Sequence, residues 1–556
     1  MRKHLLLFFA LYGASLNAGA QAPFTTMDWV NVNNISAAAL VHGDMWWNPS
    51  LEVADCQFPA GSGKSMNFAG ALWMSGYDAA GGLHVAAQTY RQAGNDYWPG
   101  PLDNDDTLTY ATSSSWAKIW NVRQTEIDSF RALTTHTTAN TPESILTWPA
   151  TGNTYAAGNG GAPLTINPLD IMAPFVDLNG DGIYEPLQGE YPAIKGDQAL
   201  WWEFSDNGPT HTETNGKPLG VEVHIMAYAY KRGTLIDNVV YYDYTVINRS
   251  ANTYSNFRIG LFDDMDLGYF DDDFIGFDSS RRLGITYNGT DCDGCGAGSP
   301  VNSYGRNMPI AGVTMIALPG DDGTNYAPVG SFNTYNNDAS VNGNPTTDTQ
   351  YNYYLRAQNR VGQHITNTFQ GAGIPCATTG TGPNTNYLYT GDPSVSTQWS
   401  ECGCNNTPGD RRFIITTGDI TLLPGSVDHL LMALVTTNLD TNNGCPEAGF
   451  DSIKAVADTA WNYYYNSYLS VANVAAGNAL QVYPNPAHDQ IAVENTSYTT
   501  GRETIIIYNV LGQVMPVPLN KSGNIWTANL RELPSGLYDV LYVGAGVQTN
   551  VKFIKE

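Results

Sequence analysis

The order of apolar and polar residues predicts strands along most of this chain. Between Val221 and Ala229 every second residue is small or β-branched and apolar, and similar runs follow over 236–247 and 257–262. Because successive side chains of a strand point to opposite faces, a period of two indicates a strand with one face in a core. The short turns between the three runs predict adjacent antiparallel strands in a sandwich or jelly-roll sheet.

The same pattern recurs on both sides of this region. Residues 68–78 and 83–90 predict two strands around a glycine-rich turn, and residues 413–417 and 430–435 predict a hairpin across a Pro-Gly turn. Residues 320–410 are dominated by Asn, Thr, Gly and Asp, so we expect a long surface insertion with a few short strands.

One segment has the period of a helix. From Phe450 to Tyr468 apolar residues recur at spacings of three and four, which places them on a single stripe. We therefore expect a helix over 448–468 that packs on the body. The remaining patterns predict a mainly β fold with few helices.

The chain is expected to have five parts, of which the body is a multi-domain structure of β-sandwich or jelly-roll type. The parts are a signal peptide at 1–20, an aromatic-rich β region at 21–215, a β-sandwich-like region at 216–470, a linker at 471–478 and an immunoglobulin-like β-sandwich of about seven strands at 479–556.

The N-terminus has the composition of a secretory signal. Arg2 and Lys3 are basic, Leu5–Leu11 is a short apolar run, and Ala18-Gly19-Ala20 supplies the small residues before a cleavage at Gln21. The run is too short to cross a bilayer, and no other run reaches the roughly 18 apolar residues of a transmembrane helix. We expect an exported protein without a transmembrane segment.

The C-terminal end carries four spaced motifs. They are Tyr483-Pro484-Asn485-Pro486, Ile507 to Val514, Leu533 to Val540 and Val551 to Glu556. In this order they resemble the type A C-terminal sorting domain of the bacterial type IX secretion system. The resemblance implies recognition by the secretion translocon, removal by a sortase-like protease, and a body attached to surface lipopolysaccharide or released. It also implies a location outside a Gram-negative cell, secreted or on its outer-membrane surface.

Segments of the body are similar to a group of large exported Bacteroidota proteins that share this tail. The matching segments are Gly70–Tyr77, Tyr97–Asp103, Asp177–Pro186 with Gly196–Gln198, and Asp263–Asp278. This resemblance implies no particular activity.

The net charge of the chain limits the classes of partner that it can bind. The chain of 556 residues has 52 acidic and 26 basic residues, which gives a formal net charge of −26. Nucleic acid requires a basic surface, so we exclude it as a partner. A surplus of carboxylates suits a protein that binds cations.

The cysteines favour disulfides, because the chain is expected to reach an oxidising compartment. There are seven of them, so one thiol is left free or paired elsewhere. Cys292 with Cys295, and Cys402 with Cys404, are close pairs whose four sulfurs are also compatible with a zinc site.

The best chemical motif of the body begins at Asp177. Oxygen ligands at its first, third and fifth positions, followed by a glycine, form the first half of a calcium loop. The expected ligands are Asp177, Asn179, Asp181, Ile183 through its carbonyl oxygen, and Glu185. The alternative is a solvated turn of Asp, Asn and Gly.

This motif departs from a complete EF-hand at its end. Position twelve is Gln188 where the bidentate Glu is expected. The closing ligand must therefore come from elsewhere, and Glu190 and Asp197 are the candidates.

A second acidic cluster lies within sixteen residues of the chain, and its interleaved phenylalanines place part of it near a core. The cluster consists of Asp263, Asp264, Asp266, Asp271, Asp272, Asp273 and Asp278, of which the first six are the expected ligands. Such carboxylates repel one another unless they are solvated or bind a metal, so we expect a second calcium site. The alternative is a pair of glycosidase carboxylates.

Other catalytic patterns are weak. The sequence has no HExxH and no GxSxG motif, and Glu222 with His224 on one strand face is interpreted as a surface pair or as part of a metal site. We interpret the chain as a non-catalytic cell-surface or secreted protein stabilised by calcium and disulfides. The alternatives are a secreted hydrolase, either glycosidase or protease, and a carbohydrate-binding or adhesive module.

Overall fold

Two antiparallel sheets facing each other form the body. The structure is a computed structural model that describes residues 24–90, 94–103, 106–166, 172–296, 302–321, 326–438, 445–446, 449–471, 480–495, 503–509, 515, 517, 519–531, 533–544 and 547–555. The signal peptide predicted at 1–20 and nearly all of the predicted linker lie outside these residues.

The described strands and helices of the body follow in chain order. The strands are β1 (Met27–Val30), β2 (Ser36–Leu40), β3 (Trp47–Asn48), β4 (Val53–Ala54), β5 (Cys56–Gln57), β6 (Ser65–Asn67), β7 (Ala69–Tyr77), β8 (Leu83–Ala87), β9 (Trp98–Pro99), β10 (Trp120–Arg123), β11 (Phe175–Val176), β12 (Tyr191–Pro192), β13 (Gln198–Ser205), β14 (Val221–Ala229), β15 (Val239–Asn248), β16 (Tyr254–Asp264), β17 (Asp273–Asp278), β18 (Leu283–Asn288), β19 (Pro309–Ala317), β20 (Ser331–Tyr335), β21 (Arg412–Thr416), β22 (Ile420–Leu422) and β23 (Val427–Asn438). The helices are α1 (Tyr110–Trp116), α2 (Gln124–Arg131), α3 (Glu143–Leu146), α4 (Asp348–Tyr354), α5 (Glu401–Cys404) and α6 (Asp451–Val471).

The larger sheet has the strand order β10-β13-β14-β15-β23-β19-β18-β17, and β9 also pairs with β13. The second sheet has the order β20-β21-β16-β7-β8, with β22 beside β16. A smaller sheet, β1-β2-β5-β6, completes the N-terminal part. All these pairings are antiparallel.

The inner faces of the two sheets share one core. Val223, Tyr244 and Met432 from the larger sheet meet Met74 and Leu261 from the second, and all five are fully buried. Alternate residues of the same strands point away from this core, as the period of two requires. The expected mainly β fold of sandwich type is therefore confirmed.

Each sheet is also covered on its outer face. Helix α6 and residues within 116–166 and 172–194 cover the larger sheet. Helix α4 covers the second sheet, where the rings of Trp73 and Tyr351 pack edge to face at 4.6 Å. Because both faces are buried, these strands contain few exposed positions.

Several elements match the sequence patterns. Strands β7 with β8 and β14 with β15 pair as expected. Helix α6 also matches its prediction, and Ile453, Val456 and Ala460 of its apolar stripe are fully buried. The predicted boundary near residue 215 stays a prediction, and it falls between β13 and β14, which pair with each other.

Two predicted pairings are wrong. Strand β16 does not lie beside β15 but crosses to the second sheet, where it pairs with β7 and β21. Strands β21 and β23 form no hairpin, because β23 lies between β15 and β19 in the larger sheet. A strand that is buried on both faces carries no local signal for its partner.

The region 320–410 is more than a surface insertion. It contributes β20 and α4, and Phe332, Ile365 and Leu388 are fully buried in the shared core. Its polar composition reflects long connections between buried anchors. The region contains a short strand, as expected, but the expectation of a surface insertion is wrong for these buried residues.

The tail forms its own small sandwich. Its described strands are β24 (Leu480–Tyr483), β25 (Gln490–Asn495), β26 (Glu503–Asn509), β27 (Leu519–Ser522), β28 (Ile525–Asn529), β29 (Gly536–Gly544) and β30 (Val547–Lys555). They form a sheet β24-β25-β28-β27 and a sheet β26-β29-β30 around a core that includes Ile491, Trp526 and Phe553. Within the described ranges, no helix is both long and apolar enough to cross a membrane.

Candidate functional site

The loop between β11 and β12 curls around the side chain of Asp177. Its carboxylate accepts hydrogen bonds from the backbone N–H groups of Gly180 (2.6 Å) and Gly182 (2.8 Å). Both glycines have positive φ, 79° and 77°, a conformation that residues with a Cβ rarely adopt. The glycines of the motif therefore serve the turn that the sequence pattern predicts.

The other expected ligands face the same turn. Asn179 accepts a hydrogen bond from the Asp181 N–H (2.9 Å), and Asp181 accepts one from the Ile183 N–H (2.8 Å). The Asn179 amide donates to Asp181 (3.1 Å) and Glu185 (3.0 Å). The structure thus brings these polar side chains together, although the three carboxylates of the loop do not all lie within 4.8 Å of one another.

Glu190 rather than Asp197 is next to this loop. The Glu190 carboxylate is buried and accepts hydrogen bonds from two N–H groups of the loop, at 3.0 and 2.8 Å. Burial raises the pKa of Glu190, and these hydrogen bonds oppose the rise. Asp197 instead accepts from the Lys231 N–H and pairs with Arg232.

The second acidic cluster is divided between two faces of β16. Asp263 lies on the face of β16 that points into the shared core, and it accepts a hydrogen bond from the Asn67 amide (2.9 Å). Desolvation raises its pKa well above the usual range. Asp264 lies on the opposite face of β16 and pairs with Arg412 (2.9 Å). Desolvation raises the pKa of Asp264 to about 6, and the guanidinium opposes the rise.

Asp264 meets two further carboxylates. Asp264, Asp266 and Asp410 each place one oxygen within 4.8 Å of the others. Arg412 lies 2.9 Å from both Asp264 and Asp410, so its guanidinium pairs with two of the three carboxylates. One oxygen of Asp264 is buried without a hydrogen-bond partner. This spacing fits a cation that takes oxygen ligands at about 2.3–2.6 Å.

The remaining aspartates of the cluster are not part of this three-carboxylate group. Asp272 accepts a hydrogen bond from the Asn288 amide (2.8 Å), and Asp273 accepts one from the Leu267 N–H (3.1 Å). Desolvation raises the pKa of both, and the charges of Asp272 and Asp266 raise that of Asp273 further. Asp271 is exposed.

Three side chains converge on the outer face of β13 and β14. The His224 Nε2 atom lies 2.9 Å from Glu222 and 3.1 Å from Glu203, and Arg249 pairs with Glu222 at 2.7 Å. All three members are buried, so the expectation of a surface pair is wrong. The two carboxylates and the ring nitrogen each place one atom within 4.8 Å of the others, and the Arg249 guanidinium supplies a positive charge next to them, which favours an ion-paired cluster over a metal site.

A cleft of about 610 Å³ opens beside His224. Strands β13, β14, β15 and β23 form its floor, and helix α6 with residues 172–195 forms its walls. Lys195 pairs with Asp243 in this cleft, and Thr245 Oγ1 lies 3.4 Å from His429 Nδ1. Its size lies within the range of small-molecule sites.

Disulfides account for six cysteines. The bonds are Cys292–Cys295, Cys376–Cys404 and Cys402–Cys445, and Cys56 is a buried free thiol. The expected disulfides and the expected single free thiol are confirmed. The four-sulfur zinc alternative is wrong, because Cys402 and Cys404 bond to different partners.

Sequence reasoning missed Asp410, Glu203 and the cleft. Asp410 meets Asp264 from a distant part of the chain, and Glu203 meets His224 across two paired strands. The only local signal was weak: a charged residue within the otherwise apolar strand β13.

Comparison with known proteins bears on the tail. Residues 481–556 match the family described as secretion system C-terminal sorting domain. No curated protein matched the chain. Among solved structures, a polysaccharide lyase is similar over 60% of this chain with 8% identity and a TM-score of 0.18, and this chain spans about a third (34%) of that protein.

The match covers the same residues as the small two-sheet sandwich and its spaced motifs. Type IX sorting domains mark proteins that leave a Gram-negative cell. Residues 481–556 are therefore a type IX C-terminal sorting domain, and the chain is exported to the cell surface or secreted.

Proposed function

We propose that the exported protein is non-catalytic and that bound calcium stabilises its β-sandwich body. The observation that carries this proposal is the group formed by Asp264, Asp266 and Asp410. Gathering two half-buried carboxylates, Asp266 and Asp410, around the buried Asp264 is costly unless they are protonated or meet cations. Arg412 supplies one positive charge, and a divalent cation bound by the three carboxylates would supply two more.

The loop at Asp177 is the second proposed calcium site. Asp177, Asn179, Asp181 and Glu185 would hold the ion through side-chain oxygens, and Ile183 through its carbonyl. Every donor in this set is an oxygen, which is the ligand type that calcium prefers. The nearby buried Glu190 carboxylate fits the role of the closing acidic ligand.

Extracellular conditions suit such sites. Extracellular calcium modules bind with dissociation constants of about 10⁻⁴–10⁻³ M, near the calcium level outside cells. A ligand that binds only the folded state stabilises it by RT ln(1 + L/Kd), where L is the ligand concentration, which is about 0.4 kcal/mol per site when the ligand is at its dissociation constant and about 1.4 kcal/mol at ten times that level. The acidic surplus of the chain supports the same assignment.

Chelation tests the proposal. We expect the melting temperature in excess EGTA to be lower than in calcium, and Asp410→Asn to reduce the difference. Asp291→Asn is the matched control, because Asp291 is an exposed carboxylate paired with Arg306. A melting curve that EGTA leaves unchanged would contradict calcium binding at both sites. The same measurement on Asp181→Asn tests the loop site separately from the site formed by Asp264, Asp266 and Asp410.

We further propose that the secretion translocon and a sortase-like protease act on the tail. The protease would cut within 470–479, a run of small and polar residues, and leave the body on surface lipopolysaccharide or released. Residues 472–479 lie outside the described part of the chain.

The two alternatives have less support. An adhesive module of the aromatic-platform type needs exposed rings, but Trp46, Trp73, Trp120, Trp148 and Trp202 are all less than 2% exposed. A hydrolase needs an accessible pair of catalytic groups, whereas Glu203, Glu222 and His224 are all buried.

A further inference from the structure

We propose that the cleft on the outer face of the larger sheet binds a neutral sugar or a short neutral oligosaccharide. The cleft has a volume of about 610 Å³, in the middle of the range of about 300–1,000 Å³ that is typical of small-molecule sites. None of the proposed calcium ligands lines the cleft, so the inference does not depend on calcium binding.

The strand register arranges the floor of the cleft in two rows. One row crosses the sheet through Trp201, Met226, Asp243 and Leu431, which face one another on successive strands. It is apolar except for Asp243. The three apolar side chains of this row are at most 6% exposed, so the row closes the bottom of the cleft. The apolar groups open to a ligand are on the walls, where Pro174 is exposed and Tyr464 half-buried.

The neighbouring row is polar. His224, Thr245 and His429 lie opposite one another on β14, β15 and β23. Neighbouring strands are about 4.8 Å apart, so this row presents hydrogen-bonding groups at regular intervals. Lys195 adds an ammonium group from the wall, next to Asp243.

The charges of the cleft are already compensated. Lys195 pairs with Asp243, and Asp321 forms two hydrogen bonds to the buried Arg282 guanidinium, at 2.8 and 2.9 Å. An anionic or cationic ligand would therefore find no unbalanced charge to offset its desolvation. A purely apolar ligand would bury the polar row without hydrogen bonds, which is also costly.

A neutral polyhydroxylated ring meets both conditions. Its C–H face suits the apolar wall groups Pro174 and Tyr464. Its hydroxyl edge both donates and accepts hydrogen bonds at Thr245 and His429, the accessible members of the polar row. The carboxylate of Asp243 adds an acceptor for hydroxyl groups, and hydrogen bonds to a charged acceptor are stronger than neutral ones.

Calorimetric titration of the full exported chain in calcium tests the proposal. The probes are glucose, galactose, mannose, N-acetylglucosamine, cellobiose and maltose, with glucuronate and galacturonate as charged counterparts. We expect at least one neutral probe to bind in the micromolar to millimolar range and the charged counterparts to bind more weakly. Binding of the acidic sugars alone, or of no probe, overturns the proposal.

Two variants locate the binding. Thr245→Val keeps the shape of the side chain but removes its hydroxyl, and we expect about tenfold weaker binding. Asp243→Asn, which keeps the shape but removes the charge, should weaken binding at least as much. Asp451→Asn is the control, because its exposed carboxylate lies outside the cleft lining.

Melting temperatures of the variants separate loss of binding from loss of folding. Equal binding by wild type and by both cleft variants, at unchanged melting temperature, overturns the assignment to this cleft. EGTA-insensitive melting together with normal sugar binding would contradict the calcium proposal and leave this one standing.

Discussion

At the scale of single residues, buried polar side chains connect distant parts of the body. Both ring nitrogens of His211 lie at hydrogen-bond distance from backbone carbonyl oxygens, of Val85 (3.0 Å) and Asp206 (2.6 Å). Nearby, Glu213 accepts hydrogen bonds from Thr89 (2.8 Å) and Tyr351 (2.5 Å). These contacts fasten the connection between β13 and β14 to the second sheet.

Glu213 gives the fold a definite pH dependence. Desolvation raises its pKa from 4.5 to about 7, and the hydrogen bonds from Tyr351 and Thr89 oppose the rise. The folded state therefore holds the proton more tightly than the unfolded state. Its contribution to the free energy of unfolding falls as pH rises between these two values and is constant above them.

Glu213→Gln should remove this contribution. Gln carries no titrating proton and still accepts both hydrogen bonds, so the loss of stability between pH 5 and pH 8 should shrink by roughly 3 kcal/mol. Urea denaturation at the two pH values, in calcium, measures it. The control is Glu143→Gln, an exposed carboxylate. An identical pH dependence in wild type and Glu213→Gln would refute the assignment.

At the scale of secondary-structure elements, two disulfides link the short helix α5 to two distant segments. Cys404 bonds to Cys376, and Cys402 bonds to Cys445 shortly before α6. The polar region 320–410 is thereby fastened at its end, where hydrogen-bonded strands are few. Such cross-links act mainly by restricting the unfolded chain, and more so for longer loops.

Removing the Cys376–Cys404 bond by a double Cys→Ser substitution should cost about 3–4 kcal/mol, because it closes a loop of 28 residues. The matched control is the double substitution of Cys292 and Cys295, which are only three residues apart. We expect a clearly smaller loss there. Urea unfolding measures both, and equal losses would contradict the loop-entropy account.

The whole molecule combines a covered β-sandwich body with a small sorting sandwich. Both are built from antiparallel sheets, but their cores are separate clusters. The family match is confined to the tail, so export is assigned to residues 481–556 and the activity of the body is argued from its own sites.

Deletion of residues 480–556 should stop export past the outer membrane. The tail holds the recognition motifs and has a core of its own, so the body should remain folded while it accumulates inside the cell envelope. Immunoblots of medium, cell surface and periplasm measure the location, and the melting transition of the retained body is the control. Undiminished product in the medium would contradict the role of the tail.

Local sequence patterns were sufficient to predict several strands, one helix and the sorting domain. The period of two gave β7, β14 and β15, the period of three to four gave α6, and the spaced end motifs indicated the sorting domain, because each of these signals lies within a short stretch of chain. The odd cysteine count likewise implied a free thiol, which is Cys56. The motif at Asp177 was visible for the same reason.

Contacts between distant residues were decided only by the tertiary structure. The pairing of β16 with β7, the meeting of Asp410 with Asp264, and the two rows on the floor of the cleft join segments far apart in the chain. The sequence of a strand that is buried on both faces does not indicate which strand lies beside it. Sequence therefore determined which strands and ligand types exist and where the protein is sent, and packing decided which of them meet.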